Sequence, residues 1–304
     1  MATQTLAEAG KLVNDEIAAG VVETIVDLNT IISHVPFRSF SGQALVVNAE
    51  ATIGDSANYA VGDTITANAA GTYSQKTFTS IKIIGDADMD TLVAATGGIA
   101  EADLIKSKAK SVSRTMQNQM INGTGVAPVM SSLFSQVTAG QSIDAAGATL
   151  TIEMLYELID QVKAKDGKVD FILMSKVMKR KLRVILNALG GNNIDNITLP
   201  NGLSVDSFEN IPVFTSDYKA ATESLDGTAL TGGVYDSIYA GCFDEGDNSG
   251  ITFVYPEAIP AGIAVRSLGE QEDLDGTRTR IAFYGNFAST NDLGLARLFG
   301  IALA

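Results

Sequence analysis

Hydrophobic positions in residues 38–84 follow the pattern of β-strands, but only at the two ends of this segment. Residues 44–47 and 77–84 are dense in β-branched side chains, and small, polar and glycine-rich residues fill the stretch between them. The pattern predicts a long β-arm with too few large apolar side chains to form a core. A two-stranded ribbon alone has only marginal stability in water. We therefore expect the arm to lie against another surface, and a neighbouring copy of the chain is the preferred candidate.

The charge pattern of the arm supports the same expectation. No lysine or arginine occurs from Ser39 through Gln75, and the acids in this stretch are Glu50, Asp55 and Asp63. Exposed strands usually carry lysine, which discourages pairing between sheet edges. The absence of lysine therefore favours packing against another chain. A loosely ordered surface loop is the alternative interpretation.

An amphipathic helix is predicted from about residue 100 to residue 120. Apolar side chains recur at intervals of four and three, which places them on one face: Ile105, Ala109, Val112, Met116 and Met120. A basic cluster occupies the first half of the helix, formed by Lys106, Lys108, Lys110 and Arg114. Such a cluster is most often a solvated helix face. The functional alternative is that the cluster makes a salt-dependent contact with an acidic surface.

The regions on either side of these elements also show regular patterns. Residues 1–37 are predicted to form an N-terminal arm with one or two short helices, beginning at a capping box at 5–8 and ending before Pro36. From about residue 149 to residue 220, helix and strand patterns alternate. Thr151 and Ser175 are the expected N-caps of two helices, and residues 169–174 and 211–214 are the expected strands.

The C-terminal third is predicted to be mainly β-structure. Residues 251–255 form one strand pattern, and residues 262–268 and 277–287 form a hairpin in which apolar and polar side chains alternate. Acidic residues crowd the connection between its strands, namely Glu270, Glu272, Asp273 and Asp275. Basic residues lie on the strands themselves, namely Arg266, Arg278 and Arg280. This arrangement suits contacts between symmetry-related copies, and scattered surface charge is the alternative.

Composition excludes several classes of protein. At 304 residues, with 46% apolar and 18% charged residues, the chain is expected to be globular. The formal net charge of −14 argues against nucleic-acid binding as the main activity. We expect no secretory signal and no membrane span. The single cysteine, Cys242, rules out an internal disulfide framework and favours a reducing compartment.

No catalytic constellation is predicted, so we expect neither enzymatic activity nor a cofactor. His34 is the only histidine, and its apolar neighbours favour a structural role over a place in a catalytic triad. Residues 86–90 imitate the start of a calcium loop but lack the glycine and glutamate that such a loop requires. A helix N-cap region is the preferred interpretation of residues 86–90. One cysteine and one histidine exclude a zinc site, and no phosphate-binding loop occurs.

The order of these elements resembles the major capsid proteins of tailed double-stranded-DNA bacteriophages, which have the Hong Kong 97-type fold. Residues 121–125, Ile-Asn-Gly-Thr-Gly, are similar to the exit of the family's spine helix. Residues 171–175, Phe-Ile-Leu-Met-Ser, followed by a basic helix, are similar to its strand and helix. Residues 209–217 resemble its Gly-x-Pro-Val-x-x-Ser-Asp motif, with Asn210 in place of the usual glycine. Residues 237–243 resemble a further strand, and the resemblance covers nearly the whole chain.

The resemblance implies an α+β fold of four parts. These are an N-terminal arm (1–37), an extended β-loop (38–84), a peripheral domain with a long spine helix (85–140 and 262–289) and an axial domain (141–261 and 290–304). It implies a coat subunit that self-assembles into an icosahedral head enclosing DNA without sequence-specific binding. Localisation in the virion after assembly in the host cytoplasm follows from this.

The resemblance also implies partners. The chain would meet many copies of itself as pentamers and hexamers, together with a portal, and decoration proteins remain an open alternative. Some family members staple the extended loop covalently through a lysine, whereas here the first lysine is Lys76 at the base of the loop. We therefore expect non-covalent clasping. Since no long extension precedes the arm, we also expect a separate scaffolding protein.

Two alternatives to a phage head stay open. An encapsulin-type bacterial compartment would use the same fold and would bind a cargo enzyme on its inner face. The glycine-, serine-, threonine- and asparagine-rich arm favours a virion over this alternative. A soluble α+β enzyme of unrecognised type is the more distant possibility.

Overall fold

The chain forms two layers, and each of them combines a β-sheet with helices. The computed structural model describes residues 31–52, 56–64, 70–96, 101–188, 195–198, 204–219, 221–272 and 275–303. The predicted capping box at 5–8 and the short helices of residues 1–30 lie outside this described part.

The described helices are α1 Thr91–Ala95, α2 Glu101–Asn122, α3 Leu133–Gln136, α4 Ile152–Gln161 and α5 Lys176–Ala188. The first strands are β1 Phe37–Phe40, β2 Ala44–Thr52, β3 Thr72–Thr79, β4 Ile81–Asp90 and β5 Ser142–Asp144. The middle strands are β6 Phe171–Met174, β7 Asp195–Thr198, β8 Ser204–Phe208, β9 Ile211–Thr215 and β10 Tyr235–Gly241. The last strands are β11 Ile251–Pro256, β12 Ile263–Glu270, β13 Gly276–Ser289 and β14 Leu295–Ala302.

The long strand β13 organises a five-stranded sheet. β4 pairs antiparallel with it from Ile81 opposite Gly285 to Asp90 opposite Gly276, and β12 forms the predicted hairpin with it. β11 pairs with the end of β13, and β1 adds in parallel to β11. The predicted strand at 251–255 therefore belongs to this sheet.

The helix α2 covers the five-stranded sheet with the face that its sequence predicts. Its apolar positions are buried among Phe253, Phe283 and Phe287 of the sheet, as expected from the spacing of four and three. Phe253 meets Phe287 edge-to-face, with ring centroids 5.5 Å apart. Ile31 and Ile32 are also buried in this core, which ties the end of the N-terminal arm to it.

A seven-stranded sheet in the order β5-β14-β10-β6-β9-β8-β7 forms the second layer. Side chains of β6 alternate between its two faces, because Ile172 and Met174 pack under α4 and α5 while Phe171 and Leu173 face the core shared with α2. The predicted N-cap Thr151 accepts a hydrogen bond from the Met154 amide at 3.3 Å. Ser175 caps α5 in the same way, so both predicted caps are confirmed.

The structure corrects two expectations about residues 77–90. The strand predicted at 77–84 is interrupted at Ser80, because residues up to Thr79 pair with β2 whereas β4 pairs with β13. The residues 86–90, predicted as a helix N-cap region, all belong to strand β4. Only Asp90 caps a helix, through a 2.8 Å hydrogen bond from the Leu92 amide. Pairing with β13 prevails over the local capping preference.

No helix of the described residues is both long enough and apolar enough to cross a membrane.

Gly123, which follows α2, provides a test of the packing at the helix end. A Cβ atom at this position would lie 2.2 Å from the Met130 carbonyl oxygen and 2.4 Å from that of Gln119. Since backbone atoms cannot move as a flexible side chain can, we expect Gly123→Ala to lower the free energy of unfolding by about 1–3 kcal/mol.

The matched control for this test is Gly140→Ala, at a site where an added Cβ meets nothing within 4 Å. Chemical denaturation of both variants measures the difference, and equal stability of the two would contradict the close approach.

Candidate functional site

The β2–β3 ribbon is the first candidate assembly surface. Its base is anchored, because Val47 and Phe78 are buried against Phe40, Val254 and Ala288. Beyond the base its side chains are mostly exposed, and Tyr73 has 76% of its surface accessible. The ribbon therefore forms regular pairing without a core of its own, as the sequence predicts.

The charged residues of the ribbon are few. Lys76 Nζ forms an ion pair with Asp292 Oδ1 at 2.5 Å, so this lysine helps to fix the base. Asp63 accepts a hydrogen bond from the Ala60 amide at 2.7 Å within an exposed turn. The backbone of Glu50 pairs with that of Tyr73. Asp55 lies outside the described residues.

A polar groove beside α2 is the second candidate surface. The cavity has a volume of about 410 Å³, and its lining includes Lys110, Arg114, Ser111, Thr115 and Tyr218. Its opposite wall is fixed to the helix, since the Asn122 amide donates to the Tyr218 carbonyl at 2.9 Å. All four predicted basic residues of the helix are exposed, namely Lys106, Lys108, Lys110 and Arg114. The groove thus combines two cations with polar side chains, and suits an anionic group.

The tip of the β12–β13 hairpin is the third candidate surface. Glu270, Glu272 and Asp275 are exposed there, and Asp273 lies outside the described residues. Arg266 on β12 is also exposed. The described part of the tip is therefore exposed and strongly acidic.

Arg278 and Arg280, predicted as contacts between copies, are engaged within the subunit. Arg278 forms a two-pronged ion pair with Asp88 at 2.6 and 2.7 Å, and Arg280 does the same with Asp86 at 2.8 Å. Hydrogen bonds from these arginines lower the pKa of Asp86 and that of Asp88. These pairs join β4 to β13, and any contact with another copy would have to share the arginines with them.

A buried charge cluster was missed by sequence analysis. Lys219 Nζ contacts Glu223 and lies 2.9 Å from Asp236, and Arg297 reaches the other oxygen of Glu223 at 2.7 Å. Burial by itself lowers the pKa of Lys219, but the adjacent carboxylates outweigh it and leave this pKa raised. Ser175, the α5 cap, also donates to Asp236. The cluster fixes the loop before β10 to the seven-stranded sheet, and no local motif in the sequence signals it.

Cys242 and His34 both have surroundings that fit a structural role. Cys242 Sγ donates to the Ser249 carbonyl at 3.0 Å, and burial raises the pKa of this thiol to about 11, which keeps it protonated at neutral pH. The His34 ring packs against Phe214 with centroids 5.3 Å apart. In the described part of the chain, no group of three or more His, Cys, Asp or Glu residues is arranged to hold a metal ion.

Comparison with known proteins gives similarity in structure only. No protein-family model and no curated protein sequence matches the chain. Among solved structures, the encapsulin of the holo-SrpI complex from Synechococcus elongatus is 15% identical, with a TM-score of 0.69 over 90% of this chain and 88% of that one. The capsid of a native GTA particle is 11% identical, with a TM-score of 0.64 over 92% and 91%.

A structure from Mycobacterium phage Adephagia is 13% identical, with a TM-score of 0.60 over 89% of both chains. At these identities the similarity establishes the fold, and it extends over nearly the full length of each neighbour. The chain has the Hong Kong 97-type fold that phage capsid and encapsulin subunits share.

The buried charge cluster predicts a large effect of removing its central cation. Lys219→Met leaves Asp236 and Glu223 without their shared partner in a buried site, so we expect the free energy of unfolding to fall by about 3–5 kcal/mol. The control is Lys176→Met, whose partner Asp217 is exposed, and which we expect to change stability by less than about 1 kcal/mol. Denaturant titration of both variants measures the difference, and similar losses would contradict the cluster's role.

The Asp86–Arg280 pair predicts a pH dependence of stability. Because the pKa of Asp86 is lowered below its ordinary value of 3.8, the pair stabilises the fold above that pH and its contribution is lost as the pH falls through the lowered pKa. We expect Asp86→Asn to cost no more than about 1 kcal/mol near neutral pH, and the difference from wild type to vanish in acid. Unfolding curves across this range test it, and a difference independent of pH would refute the assignment.

Proposed function

We propose that this chain is the repeating coat subunit of a closed icosahedral shell, namely a phage head that encloses double-stranded DNA. The observation that carries the proposal is the β2–β3 ribbon, a regular two-stranded element with an anchored base and an exposed outer part. A monomeric protein gains little from such an element. In a shell, the ribbon and the N-terminal arm would clasp neighbouring subunits without a covalent link.

The physical basis of such a shell is the number of contacts. Each subunit would make several modest contacts with its neighbours in pentamers and hexamers, and their combination produces a durable lattice. Closed symmetry leaves no unsatisfied edge. The net charge of −14 suits a container that holds DNA without gripping it. A separate scaffolding protein and a portal are the further partners that we propose.

An encapsulin-type compartment is the second candidate, favoured by the similarity to the Synechococcus elongatus encapsulin. The contents of the shell separate the two candidates. Nuclease-protected double-stranded DNA in purified particles supports a phage head, whereas a packaged protein cargo supports a compartment.

The direct test is electron microscopy of the expressed chain, alone and with a co-expressed scaffolding candidate. Closed particles of uniform size are expected. Monomers or dimers under all conditions, together with an activity that depends on a small molecule, would overturn the proposal in favour of a soluble enzyme.

Truncating the ribbon tests its part in the proposal. Residues 50–73 are replaced by Asn-Gly, which joins the cross-strand partners Ala49 and Ser74 through a two-residue turn. The base keeps Val47, Phe78 and the Lys76–Asp292 pair, so we expect the isolated subunit to melt close to the wild-type temperature. Shell yield, measured by sedimentation and microscopy, is expected to fall severely.

The point variant Tyr73→Ser is the milder companion, since it removes an exposed apolar side chain and leaves the ribbon intact. We expect its shells to dissociate at a lower denaturant concentration than wild-type shells. Truncated subunits that form shells of wild-type yield and durability would exclude the ribbon as the clasp.

A further inference from the structure

The cations of α2 form an uncompensated stripe. Lys106, Lys110 and Arg114 stand at i, i+4 and i+8, and residues 104–122 contain no acidic residue. Like charges at this spacing repel and weaken a helix. None of the three cations has a carboxylate within ion-pair distance in the part of the chain that the structure describes. In a chain with a net charge of −14, such a stripe is the surface at which an anionic partner finds the most favourable electrostatic interaction.

The hairpin tip has the opposite imbalance. Four acids occur between residues 270 and 275, and Glu270, Glu272 and Asp275 are exposed without a cation at ion-pair distance among the described residues. The nearest arginine along β13, Arg278, is already occupied by Asp88. The carboxylates of the tip therefore repel one another unless a basic surface covers them.

The tip does not pair with the groove of its own subunit: Gln271 of the connection donates to Asp88 of β4 at 3.1 Å, and among the described residues no tip carboxylate lies at ion-pair distance from Lys110 or Arg114. Gly85 of β4 packs against the turn of α2 that carries Lys108 and Val112. From Gly85, five strand residues lead to Asp90, which pairs with Gly276 at the base of the tip, a distance of about 17 Å at roughly 3.4 Å per residue.

The direction of the helix leads to the same conclusion. The first turn of α2 lies nearest the tip, since Thr279 donates to Glu101 at 3.1 Å. This turn carries the acids Glu101 and Asp103, so the part of the helix next to the tip repels it, and the basic groove lies farther along.

We propose that the acidic hairpin tip of one subunit binds in the basic groove of α2 in a neighbouring subunit. Glu270 and Glu272 are the tip residues that meet Lys110 and Arg114, while the hydroxyl of Ser111 donates to the same carboxylates. Two different complementary patches on one chain are what a head-to-tail contact between identical subunits requires. The inference rests on the proposed shell function and names two surfaces through which the copies join.

A charge-reversal and rescue experiment tests the pairing on the full chain. The groove variant carries Lys110→Glu and Arg114→Glu, and the tip variant carries Glu270→Lys and Glu272→Lys. Because like charges facing each other across an interface are strongly unfavourable, each variant alone is expected to lower the assembled fraction by about tenfold or more. The variant with all four changes is expected to recover at least about a third of the wild-type yield.

The matched control combines the groove variant with Glu153→Lys and Glu157→Lys on α4. These two acids are also exposed, and the combination restores the same net charge on a different surface. It is expected to give no rescue. Circular dichroism melting of each unassembled subunit shows that the variants fold, and the neutral pair Lys110→Gln and Arg114→Gln provides a second, milder variant.

Several outcomes overturn the pairing. Rescue by the α4 control as good as rescue by the tip would show that only net charge matters. Wild-type assembly of the groove variant would exclude the groove as a contact, and normal shells that lose nucleic acid would assign the groove to phosphate instead. A wild-type chain that forms no shell refutes the proposed function itself, whereas shells without tip rescue refute only this inference.

Discussion

The burial of one helix face against one long strand is the interaction on which the rest of the structure depends. β13 pairs with β4, β11 and β12, and α2 covers the sheet with its buried apolar side chains. This layer buries its large side chains completely and so stabilises the subunit. The elements that extend from it therefore need few apolar residues of their own. The ribbon, the hairpin tip and the polar side of α2 are all held in place by a core to which they contribute little.

This division explains the distribution of charge. Ion pairs inside the subunit join elements of the core layers: Arg278 and Arg280 fasten β4 to β13, and the Lys219 cluster fastens the loop before β10. Among the described residues, the cations Lys110 and Arg114 of the groove and the acids Glu270, Glu272 and Asp275 of the tip have no ion-pair partner. Charges that fix the fold therefore lie in one part of the chain, where they have ion-pair partners. Charges that remain available for other molecules lie in another part.

Local patterns predicted much of the fold, and non-local pairing accounts for most of what they missed. The face of α2, the caps Thr151 and Ser175, and the hairpin of β12 and β13 follow from spacing of a few residues, so the sequence contains their signal. Asp86 and Asp88 looked like capping residues because their partners, Arg280 and Arg278, are about 190 positions away. The Lys219 cluster was missed because only its Lys219–Glu223 pair is local, whereas Asp236 lies 17 residues from Lys219 and Arg297 lies 74 residues from Glu223.

The break at Ser80 has a mechanical consequence. A pull on the ribbon travels through the covalent backbone from β3 directly into β4, along the axis of that strand. β4 is hydrogen-bonded to β13 over its whole length, so the force acts in shear and many backbone hydrogen bonds resist it together, instead of opening one after another as in a zipper. Pressure from inside a shell would thus be transmitted from subunit to subunit along strands, in the direction in which a β-sheet is hardest to separate.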